Sequence, residues 1–180
     1  MIDLTKKRLQ STALVGGKDY AIHTDFRHWL CFARTLKTAK LLSDFDFMYE
    51  NGNAPADRGA GFEELAKFYN PPAPLPRPDV SGGGKVVDFT QDADLIFSAF
   101  FEQYGIDLME QDLHWHKFLA LFRGLHGTKI NEVMGYRCYE EGDKTDYEKF
   151  MARMKAAWAL EEELSESERA AVERFDAEFN

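Results

Sequence analysis

The chain has 180 residues, 44% of them hydrophobic and 14% aromatic with 15 Phe, and a formal net charge of −9. That length suits one domain, and the apolar content supplies enough buried surface to offset the entropy of ordering it, which excludes an acidic disordered chain. The negative balance repels phosphate backbones over roughly a Debye length of about 8 Å, so nucleic acid is not an expected partner.

Residues 1–10 mix Asp, Lys and Arg with isolated hydrophobes and do not read as a signal peptide. No uncharged apolar run approaches the 18 or so residues of a membrane span, so no membrane partner is expected. Cys31 and Cys138 lie far apart, outside any CxxC, among apolar neighbours. They fit a reduced cytosolic compartment better than a disulfide framework.

In chain order, Ala13-Leu14-Val15 and Tyr20-Ala21-Ile22 flank Gly16-Gly17-Lys18-Asp19 and read as a short β-hairpin. Thr24 or Asp25 then caps a helix whose Phe26, Trp29, Leu30, Ala33 and Leu36 recur at helical spacing, with Arg27, Arg34, Lys37 and Lys40 off the stripe. The pattern breaks from Ser43 to Ala60, and a second helix is expected around Gly61–Tyr69. Five prolines between Pro71 and Pro78, then Ser81-Gly82-Gly83-Gly84, predict a loop at 71–87 that is stiff at first and then flexible.

Beyond that loop, Ala93 to Tyr104 is apolar nearly all round and predicts a helix in the middle of a bundle, ended by Gly105. Asp107 or Asp112 opens the next helix, from Leu113 to Leu125. A short helix over Lys129–Tyr136 follows. Thr145 and Glu148 form a capping box ahead of Tyr147, Phe150, Met151, Met154, Ala157 and Trp158. Ser165 and Glu168 suggest a last acidic helix with Ala171, Phe175 and Phe179. The expected architecture is mainly α, a bundle of about six helices with an N-terminal β-hairpin: an arm and hairpin at 1–23, a helical domain at 24–162 and a C-terminal segment at 163–180.

Catalytic and metal signatures fail on spacing. His114 and His116, if helical, differ by about 200° in direction and cannot share a metal, and His126 comes too late to complete a local motif. The glycines before Lys85 lack the P-loop pattern, with Asp79 and Val86 at its key positions. Asp92, Asp94, Glu102, Asp107, Glu110 and Asp112 lack the Glu-x-x-His repeats of bundle-core metal sites and read as caps and surface residues. No GxSxG is present. Pro74-Leu75-Pro76-Arg77-Pro78 reads as a rigid spacer before a polyproline ligand. No catalytic, cofactor-binding or metal-ligating residue is therefore assigned.

Several segments resemble the bacteriophage gene-product-fifteen family. They are Tyr20-Ala21-Ile22-His23-Thr24-Asp25-Phe26-Arg27-His28-Trp29-Leu30, Asp88-Phe89-Thr90-Gln91-Asp92-Ala93-Asp94-Leu95-Ile96-Phe97-Ser98-Ala99-Phe100 and Gln103-Tyr104-Gly105-Ile106-Asp107-Leu108. Leu113-His114-Trp115-His116-Lys117-Phe118, Leu121-Phe122-Arg123-Gly124-Leu125 and Ile130 with Met134-Gly135-Tyr136-Arg137 complete the set. The resemblance spans roughly residues 14 to 160, and His116 stands where a second aromatic is expected.

What the resemblance implies is a phage or prophage tail-morphogenesis protein of the bacterial host cytoplasm. Its role would be that of a tail-assembly chaperone binding the tape-measure protein or other tail proteins, or associating with itself. A structural tail or head-tail completion component of the virion is the alternative, and a metal-dependent enzyme a distant third. Adaptable contact residues for a helical client would be Met151, Met154, Trp158, Phe175 and Phe179.

Overall fold

Two glycines in the left-handed region open the fold: Gly16 (φ 58°) and Gly17 (φ 78°) make the two-residue turn between β1 (Thr12–Val15) and β2 (Lys18–Ala21). The computed structural model describes residues 2–71, 85–140, 142 and 145–161. The expected turn is two residues too long, because Lys18 and Asp19 pair with Val15 and Leu14 in the antiparallel register. This two-residue connection matches the twist of the strands. Alternation along β1 buries Ala13 and Val15 and leaves Leu14 outside.

Six α-helices follow among the described residues: α1 (Phe26–Thr38), α2 (Arg58–Tyr69), α3 (Ala93–Tyr104), α4 (Trp115–Gly124), α5 (Lys129–Arg137) and α6 (Asp146–Ala157). The fold is mainly α with an N-terminal hairpin, and β1 packs on α2. No helix among the described residues is long and apolar enough to cross a membrane.

Asp25 caps α1, accepting the Arg27 N–H at 3.0 Å. The face that α1 buries carries Phe26, Trp29 and Phe32, whereas Leu36 is exposed. Trp29 is fully buried at the centre of a ring cluster, its centroid 4.6 Å from Phe68, 5.3 Å from Phe32 and 6.4 Å from Trp115. Burial strands neither indole N–H: Trp29 donates to the His23 carbonyl and Trp115 to the Tyr69 carbonyl, both at 2.9 Å.

The break between Ser43 and Ala60 contains core. Short 3₁₀ turns at Leu42–Met48 and Glu50–Gly52 deliver Phe45, Met48 and Tyr49 to the interior, with Phe45 4.9 Å from Phe62 and 5.0 Å from Phe32. Asp57 caps α2 three residues earlier than expected, at the Ala60 N–H. Gly61 lets the helix close on this turn: a Cβ there would lie 2.6 Å from Pro55 Cγ and 2.7 Å from the Tyr49 hydroxyl. That hydroxyl is buried and unpartnered, and burial pushes its pKa up to about 12.

α3 is not the middle of a bundle. It packs on α4 and α5 with Ile96, Ala99 and Phe100, and leaves Phe101 in solvent, because no further element covers its outer side among the described residues. Gly105, at φ 65°, ends it with a left-handed cap. α4 is opened by His114, not by Asp107 or Asp112.

Two arginines, not apolar contacts alone, lace these elements together. Arg27, expected on a solvated face, grips Asp25 and reaches the carbonyls of Leu108 (2.9 Å), Met109 (3.3 Å) and Gln111 (3.2 Å), pinning the loop before α4. Arg137, at the end of α5, forms a fork with Asp92 at the start of α3 (2.7 and 2.8 Å). Two further N–H groups donate to the carbonyls of Trp158 (2.7 Å) and Val86 (3.0 Å). The side chains are 8% and 3% exposed, so Asp92 is no solvated cap. Asp88, equally buried, accepts the Thr90 and Gln91 N–H groups and pairs with Lys37 and Lys85. Burial alone would raise its pKa, but those partners outweigh it and hold the carboxyl well below the usual range.

Removing one member of a buried, hydrogen-bonded ion pair leaves an uncompensated charge. Arg137→Ala should therefore lower unfolding stability by about 3–5 kcal/mol. Arg137→Lys should fail to restore it, since a point charge cannot form the fork and reach both carbonyls. Urea denaturation reads both, and a loss below about 1 kcal/mol would show the fork to be dispensable. Gly61→Ala should destabilise by about 1–3 kcal/mol in the same assay despite alanine's better helix propensity, because the new methyl overlaps Pro55 and Tyr49. A stabilised variant would contradict that close approach.

Candidate functional site

α6 forms where its capping box predicts. The Glu148 N–H reaches Thr145 Oγ1 at 3.2 Å, and the Thr145 N–H donates to the Glu148 carboxylate at 2.7 Å. Asp146 and Glu148 in the first turn and Lys155 in the last complement the helix dipole. Polar ties near its C-terminal end help to hold the helix to α5, with Arg137 on the Trp158 carbonyl and Lys155 Nζ on the Tyr139 carbonyl at 2.9 Å. None of its residues is fully buried.

This arrangement divides the expected contact residues. Met151, Met154 and Trp158 are half-buried on the face toward the fold, and the Lys129 ammonium lies 5.6 Å from the Trp158 ring centre. The large apolar side chains open to solvent on this helix are Tyr147 (66% exposed) and Phe150 (45%). They belong to the same sequence stripe, yet periodicity alone does not say which edge of an amphipathic stripe faces outward. Phe175 and Phe179 lie outside the described residues.

The histidine pair needs a correction. His114 is not helical (φ −59°, ψ 136°), so the opposite-faces argument does not apply, and the two rings stand edge to face with centroids 5.1 Å apart. Three of their ring nitrogens serve the backbone. His114 Nδ1 accepts the His116 N–H at 3.0 Å, which caps α4, and its Nε2 donates to the Gln10 carbonyl at 2.9 Å. His116 Nε2 donates to the Phe68 carbonyl at 2.9 Å while its ring stacks on Phe68 at 4.2 Å. His116 thus does the packing work of an aromatic and adds a polar tie to the end of α2. Among the described residues no group of three His, Cys, Asp or Glu side chains is placed to hold a metal ion. Cys31 and Cys138 are both free and exposed.

Burial lowers the pKa of His116 to about 4, and burial also lowers that of His114. A histidine kept neutral in the folded state stabilises the fold fully above its unfolded pKa near 6.5, and that contribution is lost as pH falls toward 4. Stability should therefore drop between pH 6.5 and 4, and His116→Gln, which can still donate to the Phe68 carbonyl, should reduce that drop by about 2 kcal/mol. Equal pH slopes for the two proteins in chemical denaturation would refute this assignment.

No curated protein and no solved structure matches the chain. The family model described as bacteriophage Gp15 protein matches residues 63–160, more than half of the 180 residues. The match takes in α3 to α6, including Asp92, His116, Arg137 and the exposed α6 strip, while the hairpin, α1 and residues 161–180 lie outside it. The segment that resembled the family around Asp25 and Arg27 is therefore not part of the matched region, although it is packed against it through the loop before α4. On that match, spanning the fork and the α6 surface alike, the chain belongs to the bacteriophage Gp15 protein family.

Proposed function

We propose that this protein is a tail-assembly chaperone that binds the tape-measure protein, the long helical protein around which a phage tail tube is built. It acts in the host cytoplasm, as a binding protein and not as a catalyst. Family membership supports the broader role, a bacteriophage structural or morphogenesis protein. The observation that carries the finer reading is the α6 strip, where Tyr147 and Phe150 stand open beside half-buried Met151, Met154 and Trp158. An aromatic and methionine face on a helix held by polar ties suits an amphipathic client helix, which would bury its apolar residues there. The net charge of −9 keeps such a complex soluble and discourages nucleic-acid binding.

Co-expression with the tape-measure protein of the same phage should keep that client soluble and co-purify it, and purified virions should lack this chain. Tyr147→Asp with Phe150→Asp should reduce the co-purified client at least about tenfold, equivalent to roughly 1.4 kcal/mol or more, with an unchanged circular dichroism spectrum. Undiminished capture by the double variant would remove α6 from the client surface. Absence of capture together with presence in virions would identify a structural tail component instead.

A further inference from the structure

Three side chains on the open side of α6 stand in an order that complements itself when reversed. Asp146, Phe150 and Arg153 fall within about 60° of one another around the helix, Asp146 about 6 Å before Phe150 along the axis and Arg153 about 4.5 Å after it. Phe150 is 45% exposed, the Asp146 carboxylate lies wholly in solvent and Arg153 is exposed. Asp146 meets Lys149 of its own helix only at 3.7 Å, a solvated contact that contributes little. On the other flank of Phe150, exposed Tyr147 lies about 4.5 Å before it and half-buried Met154 about 6 Å after it.

A two-fold axis across the helix at Phe150 sets two copies of this face against each other with the Phe150 rings at the centre. It brings each Asp146 level with the partner's Arg153 to within about 1.5 Å along the axis, and each Tyr147 equally level with the partner's Met154. Such an axis keeps each flank on its own side, so the two ion pairs line one edge and the two contacts of ring and sulfur the other. The net charge of −9 makes two copies repel at large, so they meet only where charges are opposed. With two acids and three bases α6 is close to neutral, and its charges are placed for that opposition. Phe101 on α3 gives the contrast: Asp94 and Glu102 share its helix and no base occurs from 93 to 104, so two copies meeting there would oppose like charges.

We infer that two copies of this chain associate through α6, packed antiparallel about Phe150 with Asp146 of each against the partner's Arg153. The occupant of the exposed face is a second copy of the chain. One helix face is smaller than a standard interface, so the dimer is weak and exchanges readily. Pairing covers Tyr147 and Phe150, the side chains assigned above to the client, so the dimer and the client-bound protein exclude each other. The pairing needs no client and does not depend on that assignment.

Sedimentation equilibrium of the full-length protein, alone and without client, tests the pairing. The unmodified chain should dimerise with a dissociation constant in the micromolar range, and Phe150→Asp should weaken it at least about tenfold. Asp146→Lys and Arg153→Glu, each alone, oppose like charges at both ends of the dimer and should weaken it to the same extent. Mixed in equal amounts, these two variants should form a heterodimer about as tightly as the unmodified chain, because every pair is again opposite in sign. Both positions are exposed, and a circular dichroism spectrum matching the unmodified chain shows each variant folded. An unmodified chain that stays monomeric into the high micromolar range, a dimer indifferent to Phe150→Asp, or a mixture of the two charge variants that stays monomeric would each overturn the proposal. Client capture is read separately by co-purification, so the failure of either reading leaves the other standing.

Discussion

The fold depends on one buried ionic fork. Arg137 and Asp92 are 45 residues apart in sequence and meet with almost no access to water, where an unpaired charge would cost several kcal/mol. The guanidinium serves three separate stretches of chain: the start of α3 through two N–H groups on Asp92, the end of α6 through the Trp158 carbonyl, and the segment before α3 through the Val86 carbonyl. A planar, multiply donating cation can hold three segments at fixed angles, which aliphatic packing does less selectively. Asp92 also accepts the Asp88 N–H, so the neighbouring Asp88–Lys37–Lys85 cluster is oriented by the same carboxylate. The fork thereby connects α1 to α6 through a continuous polar network.

Around that network the apolar core is mostly aromatic. Trp29, Phe32, Phe68, Tyr69 and Trp115 stack between α1, α2 and α4, while Phe26, Phe100 and Phe118 continue the stack toward α3. Flat rings pack efficiently between short helices, and the polar tips of the two tryptophans find carbonyls at loop ends. The core therefore also positions its connecting loops. His116 extends this scheme by using a ring for stacking and a nitrogen for a loop carbonyl.

The surfaces offered for binding follow from where this core stops. α6 lies outside it, tied by Arg137 and Lys155 to backbone carbonyls, and so keeps Tyr147 and Phe150 available. At the opposite end of the polar network, the last turn of α1 leaves Leu36 exposed beside Lys37. Apolar groups on a helix anchored by polar contacts, as on α6, leave a surface ordered before a partner arrives.

Local signals in the sequence carried the helices and caps. Glycines for positive φ placed the hairpin turn and the end of α3, the Thr145–Glu148 box started α6, and apolar residues in helical patterns located α1, α3, α4 and α6. These features depend on neighbours within four residues. The partners of Arg27 and Arg137, the burial of Phe45 and Met48 in a stretch with no period, and the non-helical backbone of His114 were decided by contacts 13 to 104 positions apart. For the same reason periodicity identified the α6 stripe, but only the packing of α5 against it determined that Met151, Met154 and Trp158 turn partly inward while Tyr147 and Phe150 face solvent. A helical stripe encodes apolar spacing, whereas the edge that is covered depends on the neighbouring element and on the guanidinium that holds it there.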